Sequence, residues 1–169
     1  MTDLLKHLLI SQFEASLAMY KQRIEVCPAD HWDGKIANDT FLQTAYHALF
    51  YLDLYLSPDE SAFALSDLNI KGGDDRQQGI QAGLGKEDLL LYVEHCLEKI
   101  RTVVDSETAE SLQGPSGISW RKTSRAELHV YNIRHFQHHI GQLSTFLRRI
   151  SNENNLSLKM IWVGEGWKS

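Results

Sequence analysis

The stretch that decides the fold is residues 124–150, SRAELHVYNIRHFQHHIGQLSTFLRRI. Ser124 and Glu127 have the spacing of a capping box, in which each side chain satisfies a backbone N–H at a helix N-terminus. From there, residues recur at steps of three and four, the period of a single helix face: Leu128, Tyr131, His135, His139, Gln142, Phe146 and Ile150. The stretch predicts one long amphipathic helix whose apolar face carries two histidines.

Three earlier segments show the same periodicity and predict helices over residues 2–26, 40–56 and 86–106. The first ends before Pro28, and the second begins with another capping-box pattern at Thr40. Four long helices, with no convincing strand and no internal repeat, predict an all-α fold arranged as a four-helix bundle.

The domain organisation follows from where this periodicity stops. We expect residues 1–150 to form the bundle and residues 151–169 to form a C-terminal tail that packs on the bundle or on a dimer partner. Residues 57–85 are the least regular part, rich in acidic residues and glycine. A loop of this length is usually functional or mobile, and a short helix over residues 60–65 is one alternative within it.

Composition narrows the class of protein. The 169 residues are 43% hydrophobic and 23% charged, as expected for a single globular domain, and no apolar run approaches the roughly 20 residues that span a bilayer. Seventeen basic and twenty-two acidic residues give a net charge of -5, which disfavours nucleic-acid binding. No secretory signal is recognisable, and two cysteines make no disulfide framework, so we expect a cytoplasmic protein.

The histidines are the candidate metal ligands of this sequence. His135 and His139 lie about 40° apart around the helix axis and one turn apart along it, a spacing at which two imidazoles can bind one metal ion. His138 is rotated by about 100° from His139 and should face elsewhere. His47 lies inside the apolar second helix, where a histidine needs a hydrogen-bond partner or a metal. The alternative is a set of core histidines satisfied by hydrogen bonds.

Two short segments carry a family resemblance: residues 46–51, YHALFY, and residues 135–143, HFQHHIGQL. They resemble the DinB/YfiT-like superfamily of bacterial metal-binding four-helix bundles, which carries one histidine on its second helix and a late HxxxH pair running into G-Q-[LI]. The resemblance covers about residues 2–150 and implies an up-down-down-up bundle, often a homodimer. It also implies three ligands to zinc or nickel: His47, His135 and His139.

The resemblance implies a divalent-metal-dependent enzyme that acts on a small molecule. Characterised relatives include S-transferases that use bacillithiol or mycothiol, a maleylpyruvate isomerase branch and an amide hydrolase, while many members have no known activity. Three histidine ligands leave a position at which a water or a low-molecular-weight thiol can be activated for hydrolysis or S-transfer. The alternative function is a non-catalytic dimeric helical bundle with a structural metal or structural histidines.

Other residues near the motifs have two alternative roles each. Gln142 could orient a ligand or a water, or serve as a helix-packing amide, and Tyr51 could point into the pocket or pack in the core. Glu94 and His95 on the third helix are further potential partners. Residues 121–149 hold six basic residues and one acidic residue, typical of a patch for an anionic thiol or of a solvated face. The remaining histidines are expected at surface or interface positions: His7, His31, His129 and His138.

Overall fold

The computed structural model describes residues 1–63 and 84–167. Helices dominate this part of the chain, which confirms the all-α class, and their bounds are α1 Thr2–Val26, α2 Phe41–Leu56, α3 Lys86–Ser106, α4 Ala109–Gln113 and α5 Arg125–Glu153. The bounds of α1 and α3 agree with the sequence prediction, and α5 continues three residues past Ile150. Within the two described ranges, no helix combines the length and apolar character that a membrane crossing requires.

The four long helices share one core. α1 packs against α3 and α5, and α2 packs against the same two helices. Twelve of the sixteen residues of α2 are buried, which explains why its sequence is apolar on nearly every side. Large side chains with less than 2% exposure fill the space between the helices, among them Phe13, Tyr20, Phe41, Tyr46 and Phe136. His47 therefore lies on the most buried helix that the structure describes.

A small hairpin leads into α2. Its strands are β1 (Lys35–Ile36) and β2 (Asp39–Thr40), and they pair in antiparallel fashion. Thr40 ends β2 and also caps α2, because its Oγ1 accepts the N–H of Gln43 at 3.1 Å and its own N–H donates to the Gln43 side chain at 2.7 Å. The expectation of no strands was wrong here, since two-residue strands are too short to produce a recognisable period.

Two other local differences concern short segments. α4 was not predicted, and it begins with a capping box in which the side chains of Thr108 and Ser111 each accept the other's backbone N–H. The alternative short helix over residues 60–65 is absent at 60–63, where the backbone forms bends at 60–62 and has no regular structure at 63. Residues 64 and 65 lie outside the described residues, as does most of the acidic and glycine-rich stretch.

The C-terminal tail packs along α1. The guanidinium of Arg23 donates to the Ile161 carbonyl at 2.8 Å, and the Gln12 side chain donates to the Gly164 carbonyl at 3.2 Å. Between these contacts, Val163 is buried in the main core. The described part of the tail is therefore held on its own domain by polar contacts and by one buried apolar side chain.

Gly117, in the loop before α5, packs closely against the backbone that follows α2. Replacing this glycine tests that close packing directly. Its φ is +83°, and a Cβ there would lie 1.8 Å from the Pro58 carbonyl oxygen. We expect Gly117→Ala to lower the free energy of unfolding, measured in urea, by about 2 kcal/mol or more. Gly141→Ala is the matched control, because a Cβ there meets nothing within 4 Å. Equal losses in the two variants would contradict this account.

Candidate metal centre

Three histidines from two helices converge between α2 and α5. α2 supplies His47 and α5 supplies His135 and His139, and one potential ligand atom of each lies within 4.8 Å of the others. The Nε2 atoms of His135 and His139 are 3.2 Å apart. The His47 ring centroid lies 4.6 Å from that of His139 and 5.5 Å from that of His135. The structure thus brings together the three histidines that the sequence selected, closely enough to share a cation.

The three histidines differ in how deeply they are buried. His47 is 8% exposed and His139 is 6% exposed, whereas His135 is half-buried. On α5, Phe136 and Ile140 flank the pair and are buried in the core, which fixes the rotation of the helix. The cluster therefore lies at the boundary between the core and the surface.

Gln142 sets the tautomer of His139. The imidazole Nδ1–H of His139 donates to the Gln142 amide oxygen at 2.8 Å, which leaves Nε2 as the unprotonated nitrogen. Burial, together with the neighbouring His47 and His135 rings, lowers the pKa of His139 to about 3. A neutral imidazole is the form that binds metals, and a hydrogen bond to the ring nitrogen away from the metal commonly orients such ligands.

Aromatic rings form one wall of the cluster. The Tyr51 ring lies 4.7 Å from the His47 ring and 5.5 Å from the His135 ring, so Tyr51 borders the cluster. On the same side, Tyr131 stacks on His135 at 5.9 Å with an interplanar angle of 20°. The Arg121 guanidinium lies 3.9 Å from the Tyr131 ring centroid and donates to its hydroxyl. Arg121 lies in the loop before α5, where no helical period predicts the direction of a side chain, so the sequence alone assigns it no individual role.

Glu94 and His95 do not join the cluster. Glu94 forms an ion pair with Lys21 of α1 at 3.2 Å. His95 lies beside Asp53 of α2 instead, with its Nε2 3.6 Å from the Asp53 carboxylate. Neither side chain belongs to the three-histidine group, so the structure does not support them as additional partners of a metal there.

His129 is not at the surface, and that expectation was wrong. The side chain is 0% exposed, and its Nε2–H donates to the Glu107 carboxylate at 3.0 Å. Its ring also contacts Phe13 of α1 edge to face, with centroids 6.1 Å apart. A carboxylate contributed by the segment after α3 makes burial of this polar ring tolerable, and a single-helix pattern does not reveal that partner.

Comparison of the chain with protein-family models found no matching family. No curated protein and no solved structure matches it either. What the three-histidine cluster can do is therefore argued from its own donors, burial and surroundings.

Proposed function

We propose that the chain is a divalent-metal-dependent enzyme of the DinB-like type that acts on a small molecule. The observation that carries the proposal is the convergence of His47, His135 and His139 within 4.8 Å. The donor set fits, because imidazole nitrogens suit zinc or nickel and because His139 is neutral and oriented by Gln142. A bound metal would supply Lewis-acid chemistry that lowers the pKa of a water or a thiol beside it.

The surrounding residues have distinct parts in this proposal. Gln142 holds the His139 ring through Nδ1 and so keeps Nε2 directed toward the other two histidines. Tyr51 and Tyr131 supply a largely apolar wall beside the histidines, which suits a small organic substrate and limits the access of water from that side. Arg121 fixes the Tyr131 hydroxyl from outside and keeps this wall in place.

We also propose an up-down-down-up order for the bundle, which side-chain contacts between neighbouring helices support. Two contacts favour a parallel arrangement of α1 and α5: Ser16 with Gln137, and Arg23 with Ser144. From the first contact to the second, the residue number increases along both helices. Two favour an antiparallel α2 and α5: Phe41 with Phe146, and Leu52 with Asn132. Two favour an antiparallel α1 and α3: Lys6 with Asp105, and Lys21 with Glu94.

Cobalt(II) substitution tests the proposed function. The protein is treated with a chelator, loaded with cobalt(II) and followed by its visible absorption, because cobalt replaces zinc and reports its ligands spectroscopically. We expect one cobalt ion per chain and a new thiolate-to-cobalt absorption band when 2-mercaptoethanol is added.

Two results would contradict the proposal. A protein that takes up no stoichiometric cobalt has no such centre. A cobalt spectrum that no small ligand alters, combined with a large drop in melting temperature on metal removal, would instead indicate a non-catalytic bundle with a structural metal.

A further inference from the structure

A groove of about 600 Å³ lies against α5 beside the three-histidine cluster. Its volume falls within the roughly 300–1,000 Å³ typical of sites for small molecules. One wall is the outer face of α5 and the other is the hairpin that precedes α2. Among the residues that line it are Lys35, Ile36, His138, Gln142, Phe146 and Arg149.

The groove and the three-histidine cluster are linked through the side chain of Gln142. Gln142 lines the groove and also accepts the Nδ1–H of His139. His138 lines it as well, and its ring lies 5.2 Å from the His139 ring. A molecule bound in the groove would therefore lie directly beside the residues that orient one of the three histidines.

The groove carries positive charge. Lys35 and Arg149 line it, and none of the described residues that line it is a carboxylate, although the chain as a whole has a net charge of -5. Arg149 is held in place, because its Nη2 donates to the Lys35 carbonyl at 2.8 Å and its guanidinium lies 5.2 Å from the Phe146 ring centroid. A positioned guanidinium is the side chain best suited to a two-point contact with a carboxylate or a phosphate.

We propose that this groove binds an oxyanion group, a carboxylate or a phosphate, of the small molecule on which the metal centre acts. Arg149 and Lys35 are the anchors, and Gln142 lies between them and His139. The inference rests on the proposed function and narrows it: the substrate or co-substrate is a small anionic molecule whose charged end lies toward the hairpin.

The test compares charged and neutral thiols on the cobalt-loaded protein. ω-Mercaptocarboxylates from mercaptoacetate to 6-mercaptohexanoate are titrated beside the corresponding mercaptoalcohols, and binding is followed by the thiolate-to-cobalt band. We expect at least one carboxylate to bind about 10-fold or more tightly than the alcohol of the same length. Arg149→Gln should remove that preference, whereas Arg148→Gln should keep it, because both arginines are exposed on α5 but Arg148 does not line the groove.

Inorganic phosphate and acetate are then compared as competitors of the tightest carboxylate, and the stronger competitor identifies the preferred oxyanion. Cobalt uptake and melting temperature of Arg149→Gln are measured alongside, so that loss of the fold is distinguished from loss of the anchor. Equal binding of charged and neutral thiols, or equal behaviour of the Arg148 and Arg149 variants, would overturn the inference and leave the metal centre standing. Failure of the wild-type protein to bind cobalt would overturn the proposed function and this inference with it.

Discussion

His139→Ala is expected to lower the affinity of the protein for cobalt(II) by at least about 100-fold, a larger effect than the roughly 10–100-fold typical of losing a residue that only orients a ligand. The reason is geometric, because the three rings form a compact triangle in which the His139 centroid lies 4.6 Å from those of both His47 and His135. Its removal leaves two imidazoles whose centroids are 5.5 Å apart. Isothermal titration with a competing chelator measures the change.

Two further variants make this result specific. His7→Ala is the matched control, since His7 is an exposed histidine of α1, and it should bind cobalt as the wild type does. Gln142→Leu should have a cobalt affinity between those of His7→Ala and His139→Ala, about 10–100-fold below the wild type. It keeps all three imidazole rings and removes only the hydrogen bond that orients His139. Far-ultraviolet circular dichroism checks that helicity survives in each protein. Unchanged affinity in His139→Ala would refute the assignment of the cluster as a metal centre.

The helices and the three histidines were accessible from sequence because their signals are local. Ser124 and Glu127 form the predicted capping box, with the Glu127 N–H donating to the Ser124 hydroxyl at 3.2 Å. Once the start of α5 is fixed, the helical period alone places His135 and His139 on one face. His47 followed from being a polar residue within an otherwise apolar helix. None of these steps required knowledge of which helices are neighbours.

The remaining features depend on contacts between distant residues, and no local pattern encodes them. His129 looked like a surface residue because its partner, Glu107, comes from the segment after α3. Arg121 reaches Tyr131 from a loop, and the wall formed by Lys35 belongs to a hairpin with two-residue strands. The groove beside the cluster therefore became visible only when the hairpin and α5 were placed together.

A buried charged network joins the end of α2 to the start of α5. Arg125 is 6% exposed, and its Nε donates to the Glu107 carboxylate at 2.8 Å. Its remaining guanidinium nitrogens donate to the last carbonyls of α2 and its cap, those of Tyr55, Leu56 and Ser57, at 2.8–3.1 Å. A cation at this position also interacts favourably with the negative end of the α2 dipole.

Arg125→Met is expected to lower the free energy of unfolding by about 3–5 kcal/mol, because it removes the cation of a buried ion pair and leaves the Glu107 carboxylate with hydrogen bonds from His129 and Ser111 alone. The double variant Arg125→Met with Glu107→Gln should lose less than the sum of the two single changes. Arg148→Met, an exposed change on the same helix, is the control and should have an effect within about 0.5 kcal/mol. Urea denaturation monitored by tryptophan fluorescence provides these values.

The same network predicts how the stability depends on pH. Burial raises the pKa of Glu107, but hydrogen bonds from His129, Arg125 and Ser111 outweigh it and lower the pKa from 4.5 to about 2. Between these values the folded protein binds fewer protons than the unfolded chain, so stability is lost as the pH falls from 4.5 toward 2. Burial lowers the pKa of His129 from 6.5, which adds a loss of the same sign below pH 6.5. The difference in free energy of unfolding between wild type and Arg125→Met should therefore decrease from pH 7 to pH 3. A difference that stays constant over that range would show that Arg125 does not act through Glu107.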